Sequence, residues 1–170
     1  MGFENQVLED LTIPDIKNVP FKSIEKKYLR VVVGNYIFLL LLLFFSVGLV
    51  VFLFHVPLSE VLFGGIALLL FLLLTVSFIV SVLSFSKRKY AVRTKDISYK
   101  KGLFTTTLTT VPFVRVQHID VKQGIFSRKL NLANLEVYTA GESGGDLIIK
   151  GLKYQDANSM REYIMSKIDA

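Results

Sequence analysis

The sequence predicts a two-helix transmembrane hairpin followed by a small, mainly β domain, an antiparallel barrel or sandwich of about six or seven strands capped by a C-terminal α-helix. Three observations carry this reading. Two long uncharged apolar runs, Val31 to Phe54 and Val61 to Phe85, flank the short polar segment HVPLSE. Beyond Lys87 the pattern changes to short β-branched and aromatic segments separated by turn residues. At the end of the chain, Ala157, Met160, Ile164 and Ile168 recur at helical spacing.

The segment before the membrane is read first. Phe3, Val7, Leu8 and Leu11 share helical spacing and stop ahead of Pro14, so a short amphipathic helix is expected there. Glu4, Glu9 and Asp10 make its polar face acidic, which favours docking against the soluble domain or fraying over lying on a bilayer. Pro14 and Pro20 mark a linker, and Ser23 is the expected cap of the first long helix.

Val31 to Phe54 is 24 residues without a charge. At 1.5 Å per residue it covers a hydrocarbon core of roughly 30 Å with some tilt. Val61 to Phe85 is equally uncharged, and the only acid between Val31 and Ser86 is Glu60 in the connecting turn. The first run starts too late and is too long for a cleaved signal peptide, so both spans are expected to remain. Lys22, Lys26, Lys27 and Arg30 precede the hairpin, Lys87, Arg88, Lys89 and Arg93 follow it, and the turn carries no Lys or Arg. This places both termini in the cytoplasm. Tyr28, Tyr36 and Tyr90 sit near the same boundary. Polarity within the spans is limited to Asn35, Ser46, Thr75, Ser77 and Ser81, too little for an ion or proton pathway through this chain alone. Ser77, Ser81 and Ser84 suit close packing of a neighbouring helix, most simply within the hairpin.

In the soluble part, Tyr90 to Thr94 and Ile97 to Lys101 read as strands joined by a tight turn at Lys95 and Asp96. Leu103 to Thr110 reads as a third strand, with Pro112 separating it from the next. Val114 and Val116 share one face, whereas Ile119 and Val121 fall on the opposite parity. The phase break at Gln117 and His118 predicts a β-bulge or two short kinked strands. Gly124 to Asn134 is a turn or short helix carrying Arg128 and Lys129, and Leu135 to Thr139 with Asp146 to Lys150 form a last hairpin. Asp156 is the expected N-cap of the closing helix, and Lys167 complements its C-terminal dipole.

Composition bounds the chemistry. The 170 residues contain no cysteine, which removes disulfides, thiolate metal sites and cysteine nucleophiles. His118 is the one histidine in the soluble part and has no second histidine beside it, so zinc or triad chemistry lacks its components. Gly141-Glu142-Ser143-Gly144-Gly145 spells a nucleophile elbow by letter, yet a strand rather than a helix follows and no histidine lies downstream, so it reads as a hairpin turn. The net charge of +6 is concentrated beyond Lys87, where 15 Lys and Arg face 8 Asp and Glu. Lys87, Arg88, Lys89, Arg93, Lys95, Lys100 and Lys101 are the candidate membrane-surface contacts. Aromatics interleaved with Lys and Arg on one strand face are lacking, so no nucleic acid is expected. Arg115, Gln117, His118, Arg128 and Lys129 are the candidate ligand or partner surface.

The run VPFVRVQHIDVKQGIFSRKLNLANLEVYTAG, Val111 to Gly141, resembles the signature of the bacterial pleckstrin-homology-like family of the second class, in its small YdbS-like membrane form. Val111-Pro112, Arg115, Gln117-His118, Asp120, Gln123-Gly124 and Thr139-Ala140-Gly141 stand in the family's order, and the likeness extends over about Val31 to Ala170. The resemblance implies a pleckstrin-homology-type barrel in a bacterial inner membrane and no enzymatic activity or cofactor. Its implied partner is a larger membrane protein carrying several such domains, or a second copy of the chain. The phosphoinositide site of eukaryotic pleckstrin-homology domains does not carry over, because its long loop between the first strands is here only the turn at Lys95 and Asp96. The expected organisation is an N-terminal cytoplasmic segment over residues 1–30, the hairpin over 31–86 and the pleckstrin-homology-like domain over 87–170. The expected function is a non-enzymatic membrane-anchored adaptor, with an anionic-lipid-sensing module as the alternative.

Overall fold

The computed structural model describes residues 20–54, 60–140 and 147–168 of the chain. The helix expected at Phe3 to Leu11, the linker at Pro14, the turn residues 55–59 and the loop Gly141 to Gly145 lie outside the described residues.

Helices α1 (Tyr28–Phe54) and α2 (Glu60–Phe85) pack against each other as the expected hairpin. Each is about 40 Å long at 1.5 Å per residue, enough to cross the hydrocarbon core and reach into both interfaces. Neither has an amphipathic face: apolar residues surround both helices, the pattern of a segment solvated by lipid. In hydrocarbon a helix satisfies its backbone internally, which is why an uninterrupted Leu, Phe and Val run takes this form. A hydrogen bond of 3.1 Å between the Tyr36 and Thr75 hydroxyls and a Tyr36–Phe78 stack at 4.4 Å tie the pair together.

The rest of the described chain builds two antiparallel sheets that share one core. The first has the order β1 (Lys22–Ser23), β2 (Lys89–Val92), β3 (Asp96–Lys101) and β4 (Thr107–Pro112). The second has the order β5 (Val116–Lys122), β6 (Leu132–Thr139) and β7 (Leu147–Lys153). The short helix α3 (Ile125–Lys129) links β5 to β6, and α4 (Tyr154–Ile168) closes the domain against the second sheet. Ile97 of the first sheet, Leu135, Val137 and Ile149 of the second, and Ile164 of α4 are completely buried in a common cluster. Burying each such side chain contributes about 1.5–3 kcal/mol, which makes this cluster the main source of the domain's cohesion. The architecture is the expected two-span hairpin with a β sandwich capped by a C-terminal helix.

Several local expectations are corrected. Ser23 does not cap α1: it belongs to β1 and pairs with Lys89, while Lys22 pairs with Tyr90. The third long strand begins at Thr107 rather than Leu103, because Gly102 adopts φ +119° and the chain folds back so tightly that a Cβ there would collide with the Thr105 carbonyl. Pro112 ends that strand instead of lying between strands, and residues Phe113–Arg115 form a 3-10 turn. That turn takes Val114 out of the strand, so Val114 is 91% exposed while Val116 is buried. The bulge is real: the β5–β6 register shifts between Val116 and His118, and with Gln117 displaced both Val116 and Ile119 face the core. Asp156 lies inside the first turn of α4, which starts two residues earlier with the Tyr154 N–H donating to the Asn131 carbonyl at 3.0 Å.

Phe85 of α2 packs against the domain's core, and the domain and the hairpin also meet at three further places among the described residues. β1, before α1, is hydrogen-bonded to β2, after α2, so both ends of the hairpin enter one sheet. Tyr28 lies on Gly151, which adopts φ +78° and has no room for a Cβ: it would sit 2.7 Å from the ring. Phe126 of α3 packs on Gly34 of α1, where a Cβ would lie 3.1 Å from the ring.

Candidate functional site

The basic residues singled out from the sequence divide into two groups. Lys87 and Arg88 occupy the turn that ends α2, their N–H groups donating to the Ser84 and Phe85 carbonyls. Arg88 is half-buried, with its guanidinium 5.9 Å from the centre of the Tyr28 ring. Lys89 and Lys100 are exposed and directly opposite each other in the β2–β3 ladder. Like charges in register destabilise a strand pair, so this position is suited to an anionic surface outside the chain. Lys101 follows on the other face of β3. Arg93 and Lys95 lie at the far turn of the same hairpin, about 13 Å along the strands at 3.3 Å per residue. There the Arg93 Nε donates to Asp96 Oδ1 at 2.7 Å, which commits its charge within the fold, and the Lys95 carbonyl accepts the Phe113 N–H at 2.9 Å.

The second set is also divided. Arg115 is exposed on the 3-10 turn beside Val114, and its carbonyl accepts the Ala140 N–H at 3.1 Å. Gln117 is exposed at the bulge, and His118, displaced by it, stacks on Tyr138 at 4.1 Å with 13° between the rings. Arg128 and Lys129 stand apart from these: they are exposed on α3, next to the contact between Phe126 and α1, and belong with the residues near the hairpin.

His118 adjoins a polar ladder across the outer face of β5 and β6. Lys122 Nζ donates to Glu136 Oε2 at 2.7 Å and to the Tyr138 hydroxyl at 2.9 Å, while Asp120 lies 3.6 Å away. The Tyr138 hydroxyl in turn donates to Glu136 Oε2 at 2.7 Å. These bonds hold the Glu136 carboxyl below its usual range and push the Lys122 ammonium above its own. A glutamate kept ionised is a weak base and a lysine kept protonated is not a nucleophile, so the ladder is suited to binding and register rather than to proton transfer. Val114, Arg115 and Gln117, at and just before the start of β5, are exposed and include both apolar and polar side chains.

Sequence reasoning missed three contributors. Phe104 is 89% exposed in the β3–β4 loop and Ile125 is 79% exposed on α3. Lys150 is exposed on β7 beside Gly151, the residue that receives Tyr28. The signal for Lys150 was its place in an alternating strand, Leu147 and Ile149 inward, Ile148 and Lys150 outward. Nothing local reveals that this outward face meets the hairpin.

The family model described as bacterial PH domain matches residues 31–168. The chain is 34% identical over 126 residues to the UPF0699 transmembrane protein YdbS of Bacillus subtilis (strain 168), covering 73% of this chain and 76% of that protein. No solved structure matches the chain.

Proposed function

The chain belongs to the bacterial PH domain family, and from that premise we propose that it is a non-enzymatic adaptor whose hairpin holds the domain at the inner leaflet of the bacterial cell membrane for assembly with another protein. One observation carries this reading: the domain is attached to the hairpin at β1–β2, at Tyr28–Gly151 and at Phe126–Gly34, so its orientation to the bilayer is set while Val114, Arg115 and Gln117 stay exposed. A fixed domain with an open mixed patch is what an assembly surface requires. The pairing of Lys22 with Tyr90 supports placing both hairpin ends on one side of the membrane, and the Lys and Arg residues on both flanks favour the cytoplasmic side. The partner is a larger membrane protein of the same family or a second copy of this chain. Cross-linking in the native membrane followed by purification in mild detergent tests the reading. A discrete complex that is lost with Val114→Asp and Arg115→Glu supports it, and a monomer without cross-linked product overturns it.

A second reading, an anionic-lipid-sensing module, is favoured by the like charges of Lys89 and Lys100, opposite each other close to the end of α2 and in no ion pair among the described residues. Each basic residue close to an anionic leaflet contributes about 1 kcal/mol of attraction. Replacing both lysines with glutamine is expected to lower the enrichment of anionic lipid around the full chain in nanodiscs of mixed composition.

A further inference from the structure

Two cavities meet where the hairpin joins the domain, and Arg88 and Lys150 line both. The first, about 220 Å³, lies in the cleft between α1 and α2 and runs from these cations past Asn35, Ser77 and Ser81 to Leu39 and Leu74. The second, about 380 Å³, opens beside it and adds Lys101, Ser84 and Tyr99.

Of the polar groups in the cleft, Tyr36 is bonded to Thr75, but three others lack the partners that polar groups elsewhere on the hairpin have. Ser46 and Thr75 return their hydroxyls to carbonyls of their own helices, Leu43 at 2.9 Å and Phe71 at 2.8 Å. Asn35, Ser77 and Ser81 have no side-chain hydrogen bond among the described residues, and all three line the cleft. Asn35 is seven residues into α1, about 10 Å along the helix axis from Tyr28 and inside the apolar span Tyr28–Val50. Asn35 is not covered by protein, so where the span lies in lipid its amide lacks a partner, and a ligand with acceptor oxygens would supply one.

The charges point the same way. The ion pairs among the described residues involve Arg93, Lys122 and Lys153 and leave out Arg88 and Lys150. Glu136, whose ionised form Lys150 also favours, is already bonded to Lys122 and Tyr138. Arg88 and Tyr99 line the second cavity together, and the guanidinium opposes the rise that burial causes in the Tyr99 pKa. Two cations that form no ion pair among the described residues therefore stand at the mouth of a cleft lined further in by Leu39 and Leu74.

We propose that this cleft is a binding site for a single anionic phospholipid, its phosphate held by Arg88 and Lys150, its glycerol and ester oxygens met by Asn35, Ser77 and Ser81, and one acyl chain lying along Leu39 and Leu74. Basic pockets between transmembrane helices at a bilayer face recognise anionic headgroups by this combination. The order of the lining selects a lipid over a free phosphate, since a small anion would occupy the mouth and leave the deeper amide and hydroxyls unpaired. This deepens the lipid-sensing reading and rests on it, but it moves recognition from the lysines of β2 and β3 to the cleft between the helices.

Native mass spectrometry of the full chain, released from nanodiscs containing phosphatidylglycerol or phosphatidylcholine, tests the site. The wild type is expected to retain a single phosphatidylglycerol, and Arg88→Gln with Lys150→Gln to weaken retention roughly tenfold or more. Arg88→Lys with Lys150→Arg is expected to restore it, which separates charge recognition from damage to the fold. Ser77→Phe, which fills the cleft and leaves the cations in place, is expected to abolish retention. Lys89→Gln with Lys100→Gln is expected to leave the retained lipid unchanged. Retention that survives loss of Arg88 and Lys150 and falls with loss of Lys89 and Lys100 overturns the cleft and leaves the surface reading standing. Retention that responds to neither pair overturns both. Displacement of the lipid by inorganic phosphate at millimolar concentration also overturns the proposal, because the site would then take a soluble anion.

Discussion

In the hairpin, Phe45 and Phe52 leave 69% and 74% of their surface uncovered by protein, whereas Leu135, Ile149 and Ile164 in the β domain leave none. Both regions are built from the same kinds of side chain. Lipid covers the first group and other parts of the chain cover the second, so the two respond differently to change. A lipid-facing position needs only to be apolar. A core position must also have the right shape, because protein interiors are packed as densely as organic crystals.

The contrast is most exposed to test at matched leucines. Leu135→Ala is expected to cost about 2–5 kcal/mol, read from denaturant unfolding of the domain in the full chain, while Leu42→Ala, at a half-exposed position of α1, leaves that transition in place. Equal losses at the two sites would end the distinction. The reverse experiment is a charge: Leu72→Arg near the middle of α2 is expected to disfavour insertion by about 2.5–3.5 kcal/mol in a glycosylation-mapping assay, and an unchanged inserted fraction would mean that α2 does not face lipid.

The junction between the regions is the next test. Gly151→Ala places a Cβ against the Tyr28 ring and requires a non-glycine residue at φ +78°. A cost of about 1–3 kcal/mol is expected, together with faster proteolysis at Lys26 and Lys27 beside the loosened contact. If the variant unfolds with the wild type and resists protease equally, the domain is not seated on α1 as described.

The smallest effect belongs to the surface ladder of β5 and β6. Glu136 is held below its ordinary pKa, so its contribution is present above the usual carboxylate range and is lost as pH falls through the lowered value. Lys122 is raised, so its contribution is present below the usual lysine range and is lost as pH rises through the raised value. Stability is therefore expected to show a plateau between about pH 5 and pH 10 for this pair. Glu136→Gln should flatten the acid limb slightly, as read from thermal melts across pH, and a steeper acid limb would contradict the assigned direction. The solvent-exposed Lys122 end of the pair keeps the effect small.

Legibility followed the same division. Each span could be read from its own letters, since length and lack of charge are local properties, and the observed helices extend the predicted spans only at the ends facing the domain and the turn. The bulge at Gln117 was visible because it shifts a two-residue alternation. The β1 strand was not, since Lys22 and Ser23 have no strand pattern of their own and extend only because β2 offers an open edge. The start of β4 was misread because threonine suits a strand, while the fold-back at Gly102 depends on how closely the Thr105 carbonyl approaches. Asp156 resembled a cap, yet α4 continues directly from β7 and starts where the Tyr154 N–H finds the Asn131 carbonyl.

The candidate sites were legible as a set of cations but not as an arrangement. Lys87 to Lys101 appeared as one basic stretch, and the fold separates Arg93 and Lys95 from the others by the length of a strand. Arg128 and Lys129 were grouped with His118 by proximity in sequence, and α3 carries them to α1 instead. What the sequence determined by itself was the membrane character of the hairpin and the β character of the domain, because hydropathy and alternation act over a few residues at a time. Tertiary structure alone decided that Lys150, some sixty residues beyond Arg88, shares its cleft with Asn35 and Ser77. Such a site is made by long-range pairing of the sheets and the seating of Gly151 on Tyr28, and neither residue's neighbours in the chain record it.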